Sequence, residues 1–332
     1  MEQAAEVGAM YRLILATEKG IVISEHDDNG WTELARGLKD QHATSVIARE
    51  GVILAGTENG VFRSEDEGQS WAEASDGLSS PHVRWMAFHP DISDFEFVGT
   101  EPAEIFVSHN GGDLWRSCPE VAQLRDKFKW SLPYSPEAGC VRGFAFHGSR
   151  VYAAVEVGGV LVSDDKGETW RLAEGSDGKP DLEGPPVPFV YPDVHSLEVH
   201  SSSPDLVYSP TGGGFYRSMD GGKTWQLIYD CYCRAVWVDP LDSEHMILGP
   251  ADHVDSNGRI EESRNGGESW SLASNGLKVP WRRGMVERFF QADEELFAVL
   301  SNGQLLSASL SNLEWHRVLP DIKHVNAVTR MV

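Results

Sequence analysis

Short apolar runs of four to eight residues recur along the whole chain, separated by clusters of Gly, Ser, Asp and Asn. The stretch from Val141 to Ala173 shows one complete set: VRGFAFH, RVYAAVEV, GVLV and, after an octapeptide, WRLA. Runs of this length, rich in Val, Ile, Phe and Tyr and bounded by turn residues, predict β-strands. Comparable sets are built from VRWMAFH, FEFVGT and EIFV, from HSLEVH, LVYSP and GFYR, and from RAVWVD, MILGP and RIEE. Each set therefore predicts four antiparallel strands.

The octapeptide between the third and fourth runs is itself a repeat. It reads SEDEGQSW from Ser64, SHNGGDLW from Ser108, SDDKGETW from Ser163, SMDGGKTW from Ser218 and SRNGGESW from Ser263. Small sheets repeated at intervals of roughly 40–55 residues predict a radial array, a β-propeller. Two worn copies, ending at Trp31 and Trp315, bring the count to seven blades. The first blade opens at its second strand, YRLILATEKG. Its inner strand is expected from VNAVTRMV, Val325–Val332, so that pairing of the two ends closes the ring and removes exposed edges. The expectation is an all-β chain, with residues 1–332 as one seven-bladed domain of four-stranded antiparallel blades.

Inside the octapeptide, Asp66, Asp165, Asp220, Asn110 and Asn265 are placed to accept hydrogen bonds from turn amides. Gly68, Gly112, Gly167, Gly222 and Gly267 permit positive φ. Trp71, Trp115, Trp170, Trp225 and Trp270 offer large apolar area between neighbouring blades. Chemistry needs one constellation, whereas a fold needs one per blade, so these acids are read as structural. The octapeptide resembles the Asp-box, or bacterial neuraminidase repeat, over nearly the whole chain.

Charge changes the picture of partners. The chain has 51 acidic against 28 basic residues, a net charge of −23, which disfavours nucleic acid and anionic membranes. No apolar run reaches the length of a membrane span, and MEQAAEVGAMYR lacks the pattern of a signal peptide. Four cysteines, Cys118, Cys140, Cys231 and Cys233, are too few for a disulfide framework, and a cytoplasmic location is expected. Cys231 and Cys233 would share a strand face as half a metal site, but no second pair completes it, so buried or free thiols are expected.

The octapeptide turns share one face of the predicted ring. The longer insertions, Cys118–Cys140, Glu174–Asp193, Ala251–Gly258 and Leu277–Met285, all fall on the other, which marks it as the working face. Aligning the inner strands on their ends, His89, His147, His200 and Asp239, puts Arg84, Arg142, His195 and Arg234 at the position five residues earlier. A looser fit adds Arg288, and the first two blades offer Asn326 and Thr44. Equivalent positions lie at one height around the channel, so a ring of cationic side chains is predicted. Two readings stand: a site for an anion, or arginines that pair with Glu101, Glu156, Asp193 and Glu287 and fill the channel.

Glu156, His195 and Glu101 are the candidate acid/base residues. Tyr191, Asp193 and His195 are spaced by two and would share one side of an extended segment. His82 and Trp130, beside Lys129, are further ligand-binding candidates. No cofactor is predicted, although a divalent metal in the channel held by His195, Asp193 and His253 is a weaker expectation.

The order of GTEPAEIFVS, KWSLPYSP, VEVGGVLVSDDKGETW and YPDVHSLEVH resembles bacterial single-domain BNR-repeat, sialidase-like propellers of the WD40/YVTN/BNR-like group. That resemblance would imply exo-sialidase or glycosyl hydrolase activity. The chain departs from true sialidases, however: it lacks their Arg-Ile-Pro motif and Tyr–Glu pair, and it counts seven blades where they have six. It is also similar to the tandem xyloglucanase-type propellers and to the photosystem II assembly-factor propeller. Three functions are therefore carried forward. One is binding, with hydrolase- or lyase-type transformation as an extension, of a small anion or sugar acid. The others are a scaffold gripping a protein partner on the long-loop face, and glycoside hydrolysis.

Overall fold

The computed structural model describes residues 11–27, 30–134 and 139–331. The N-terminal segment examined for a signal, part of the Cys118–Cys140 insertion and Val332 lie outside them. Seven sheets of four antiparallel strands form the ring of a β-propeller. The inner strands, in chain order, are Ala43–Arg49, Val83–Phe88, Cys140–His147, Glu198–Val199, Tyr232–Asp239, Val286–Ala292 and Val325–Arg330. The last of these pairs with Tyr11–Thr17, so the first blade is completed from the far end of the chain as expected. One helix occurs among the described residues, Pro119–Phe128, inside the first long insertion. It is too short to cross a membrane, and no described helix is long and apolar enough to do so.

The core is divided among the seven blade interfaces. Phe97 and Val107 of the third blade meet Val151 and Leu161 of the fourth, and a comparable apolar cluster fills every other interface round the ring. Each octapeptide Trp joins the cluster shared with the preceding blade, as do the two worn copies Trp31 and Trp315. Trp115 adds a hydrogen bond from its Nε1 to Ala74 O across that interface, 2.8 Å, and Trp315 to Ala273 O, 2.9 Å.

The octapeptide turns close on themselves. In the fourth blade Ser163 Oγ donates to Asp165 Oδ1 at 2.7 Å and accepts from the Gly167 amide at 2.8 Å. Asp165 also accepts from the Thr169 amide and hydroxyl at 2.9 and 2.6 Å. In the second blade the same bonds from the Ser70 hydroxyl and amide hold Asp66 down to about 2. An acid so saturated with donors has no proton to give and no lone pair to spare. The structural reading of the repeat therefore holds.

Candidate functional site

All seven inner strands carry the same irregularity near the insertion face. On the fourth blade Val141 pairs with Val155 and Gly143 with Ala154, so Arg142 is an extra residue without a partner. The same one-residue shift leaves Thr44, Arg84, Glu287 and Asn326 unpaired, and it falls between Cys233 and Val236 around Arg234. On the fifth blade Val194 bridges Thr211 while Glu198 pairs with Tyr208. The paired numbers sum to 405 and then to 406, which again leaves one residue over in the stretch holding His195. A bulge re-aims the extra side chain. Here seven bulges aim seven side chains at the mouth of the channel.

The predicted ring is therefore present, with one substitution in its membership. The seventh-blade position belongs to Glu287, and Arg288 is the next residue along. Counting five back from the strand end Ala292 gives Glu287 directly, whereas matching by charge selected Arg288. The difference matters because Glu287 carries the opposite charge and ties the ring together. It accepts from Arg142 Nη2 at 3.4 Å and, more closely, from Arg234 Nη1. Burial opposes its ionisation, but Arg234 and Arg142 together hold its carboxyl below the usual range.

Arg142 is the hub. Its Nη1 reaches Glu156 Oε2 at 2.9 Å and His195 Nδ1 at 3.2 Å. A guanidinium only donates, so His195 Nδ1 must be the acceptor and the ring proton sits on Nε2. That nitrogen lies 3.4 Å from Asp193 Oδ2, completing a line Glu156–Arg142–His195–Asp193. Glu156 also accepts from Tyr134 Oη at 2.8 Å and from Cys140 Sγ at 3.3 Å. It is 4% exposed, yet despite burial the Arg142 charge and the Tyr134 hydrogen bond hold it well below the usual carboxylate range. Tyr232 Oη accepts from Arg234 Nε and Nη2 at 3.2 and 3.1 Å. Arg84 pairs with buried Glu101 at 3.1 Å.

Arg288 differs from its neighbours. Its guanidinium stacks on Trp85, 4.1 Å from the ring centre, and donates to two carbonyls, Arg142 O at 2.5 Å and His195 O at 3.4 Å. Among the described residues no carboxylate forms an ion pair with it. Burial, then repulsion from Arg142, pulls it down to about 9, so the cation is less favoured than in water although still charged at neutral pH. Glu198, three residues beyond His195, is exposed on the channel side of its strand, where crowding by the surrounding protein raises it to about 7 against an opposing pull from Arg288.

Arg84, Arg142, Glu156, Arg234, Glu287 and Arg288 border a cavity of about 360 Å³ on the insertion face, lined also by His42, Thr44, Glu58, Trp85 and Asn326, whereas His195, Asp193 and Glu101 stand behind its wall. Other candidates lie elsewhere. Trp130 is a core residue, 2% exposed, whose Nε1 donates to Gly178 O at 2.8 Å and so ties the helical insertion to the next one. Tyr191 bonds Leu182 O at 2.7 Å within its own loop and does not line the cavity. His82 sits behind the wall, half-buried, with burial and then Arg84 pulling its pKa down. Cys118, Cys140 and Cys233 are buried free thiols and Cys231 is partly buried.

The residues grouped for a metal differ in part from those expected. Glu156, Asp193 and His195 bring donor atoms within 4.8 Å of one another, whereas His253 is exposed in its insertion and takes no part. Arg142 already occupies both Glu156 and the His195 lone pair. His195 Nε2 and Asp193 Oδ1, on the side away from Arg142, are buried without a hydrogen-bond partner among the described residues.

No protein-family model matches the chain, and no curated protein sequence matches it. Solved structures share the fold. An ancestral GH74 enzyme has a TM-score of 0.62 at 17% identity, covering 98% of this chain and 40% of that one. YCF48 bound to D1 peptide has a TM-score of 0.62 at 14% identity, covering 93% of each chain. YCF48 from Cyanidioschyzon merolae has 0.60 at 13%, covering 93% of this chain and 98% of that one. The chain thus spans less than half of the GH74 enzyme. Likeness at this level shows the seven-bladed architecture.

Proposed function

We propose that the protein binds a small carboxylated or otherwise anionic molecule in the cavity at the mouth of its channel. The observation that carries this reading is Arg288, a guanidinium on the cavity wall that donates to carbonyls, stacks on Trp85 and forms no ion pair among the described residues, with the carboxyls of Glu287 and Glu198 acting on it only at longer range. A buried cation lacking a carboxylate is costly, and an anion in the cavity relieves it. The rest of the ring supports the reading by being neutralised internally. Arg142 and Arg234 are balanced by Glu156 and Glu287, and Arg84 by Glu101. The remaining positive charge at the base of the cavity is that of Arg288.

Binding is favoured over catalysis. Glu156 is ionised and already accepts from three donors, so it makes a poor proton donor and a poor base. Glu287 is likewise held as a carboxylate. Glycoside hydrolysis needs one carboxyl group kept protonated beside an ionised one; neither of these acids is suited to the protonated part, and Glu198, raised to about 7, does not line the cavity. The octapeptide turns are assigned to the Asp-box repeats on their Ser–Asp–Gly–Trp pattern, without the sialidase activity such repeats suggest.

The test is calorimetric titration with acetate, lactate, glycerate and glucuronate, on wild type and on Arg288→Met. Saturable binding, weakened about tenfold or more in the variant, is expected for loss of a charge-assisted contact. Absence of binding across the panel, or equal binding by the variant, overturns the reading.

A second reading, a scaffold for a partner polypeptide, is favoured by apolar side chains exposed in the loops of the insertion face. Val187 is 93% exposed, Val254 53% and Tyr134 59%. A stoichiometric partner that is lost when the Glu174–Asp193 loop is shortened would support it.

A further inference from the structure

The cavity has a second wall whose charge has no role in the ring. Glu58 stands in the turn between the second and third strands of the second blade, with its side chain 46% exposed and one ion-pair partner among the described residues, His42 Nδ1 at 2.9 Å. Hydrogen bonding fixes the state of that histidine. Asn326 Nδ2 donates to Ala43 O at 2.8 Å, which identifies the amide nitrogen, and it lies 3.0 Å from His42 Nε2. An amide nitrogen only donates, so His42 Nε2 must carry a lone pair and its proton sits on Nδ1, facing Glu58. His42 Nδ1 therefore donates to Glu58. His82, also near Glu58, is kept neutral by burial and by Arg84. Arg84 is engaged with Glu101. Among the described residues Glu58 thus has His42 as its one ion-pair partner, and Arg288 has no carboxylate in an ion pair; both line the cavity.

Lining charges cancel in pairs except for these two, which leaves the cavity nearly neutral in sum but strongly dipolar. A simple anion would satisfy Arg288 and leave Glu58 bordering the same space of about 360 Å³. We infer that the ligand is itself dipolar: a small carboxylate that also bears an ammonium group, its carboxylate toward Arg288 and its ammonium toward Glu58. Thr44 and Asn326, polar and on the same wall as Glu58, supply further hydrogen-bonding capacity around the ammonium end. This inference rests on the anion-pocket reading and narrows its ligand to amino acids and related zwitterions.

Matched pairs test it. Glycine, β-alanine, 4-aminobutyrate and 5-aminovalerate are titrated calorimetrically against acetate, propionate, butyrate and valerate, which lack only the amine. At least one amino acid is expected to bind roughly tenfold or more tightly than its partner, as one charge-assisted contact allows. In Glu58→Gln, with an unchanged melting temperature as the control for folding, that ratio is expected to fall toward one. Equal or tighter binding of the amine-free acids, or a ratio that survives in Glu58→Gln, overturns the zwitterion while leaving the anion pocket standing. Binding by neither series overturns both.

Discussion

Each charged side chain at the channel mouth owes its state to particular neighbours, and these states differ enough to be tested. Glu156 and Glu287 are held below their ordinary values because Arg142 and Arg234 outweigh the effect of burial. Their folded pKa values are depressed, so the stability they contribute is present above about pH 4.5 and is lost as pH falls through the folded values. Glu156→Gln is expected to lower unfolding stability at pH 7 by about 1–3 kcal/mol, since the buried Arg142 loses its nearer carboxylate and keeps only Glu287 at 3.4 Å. The same change should flatten the acid limb of a stability–pH profile measured by denaturant titration. Glu198 runs the other way. Its folded value, about 7, is raised, so stability falls as pH climbs from about 4.5 to about 7. Glu198→Gln should therefore raise the melting temperature at pH 8 and leave it nearly unchanged at pH 4. A rise at both pH values, or at neither, would contradict the crowding argument.

At the level of elements, the repeat was legible and the bulge was not. Strand periodicity, turn residues and the octapeptide appear in the sequence because each is a local pattern repeated seven times. The bulges depend on pairing between strands, which local pattern does not record, although alignment from strand ends located most of their extra residues. Where chemical likeness was set above spacing, at Arg288 against Glu287, spacing was right. Trp130 and Tyr191 lie off the cavity, and an aromatic in a long insertion looks the same in sequence whether it faces a cavity or anchors the loop. Glu58, His42 and Trp85 carried no signal of their own, since their role arises only when blades one, two, three and seven meet. For the octapeptide, Gly167 has φ of +91°, and an added Cβ would come within 2.2 Å of the Phe97 ring in the neighbouring blade. Gly167→Ala is expected to destabilise by about 2 kcal/mol or more in chemical denaturation. Carboxylate affinity should not change, because this turn lies on the face away from the cavity.

The molecule as a whole depends on closure. Val325–Arg330 supplies the inner strand of the first blade, its residues join core clusters on both sides, and Asn326 completes the ring of bulges. Deleting residues from Val325 onward is expected to abolish cooperative thermal unfolding, because the first blade loses its inner strand and exposes a hydrogen-bonding edge. A truncated chain that melted as sharply as the full one would show the closure to be dispensable. Closure also makes the cavity, since residues from blades far apart in sequence meet only in a complete ring. The most direct measurement is the 15N-edited spectrum of the arginine Nε–H groups during titration with lactate, using Arg288→Lys to assign the resonance that disappears. A saturable shift of the Arg288 signal, with surface arginines such as Arg150 and Arg171 unmoved, is the predicted result. A titration in which only surface arginines respond, or none does, would contradict the assignment of the channel mouth as an anion site.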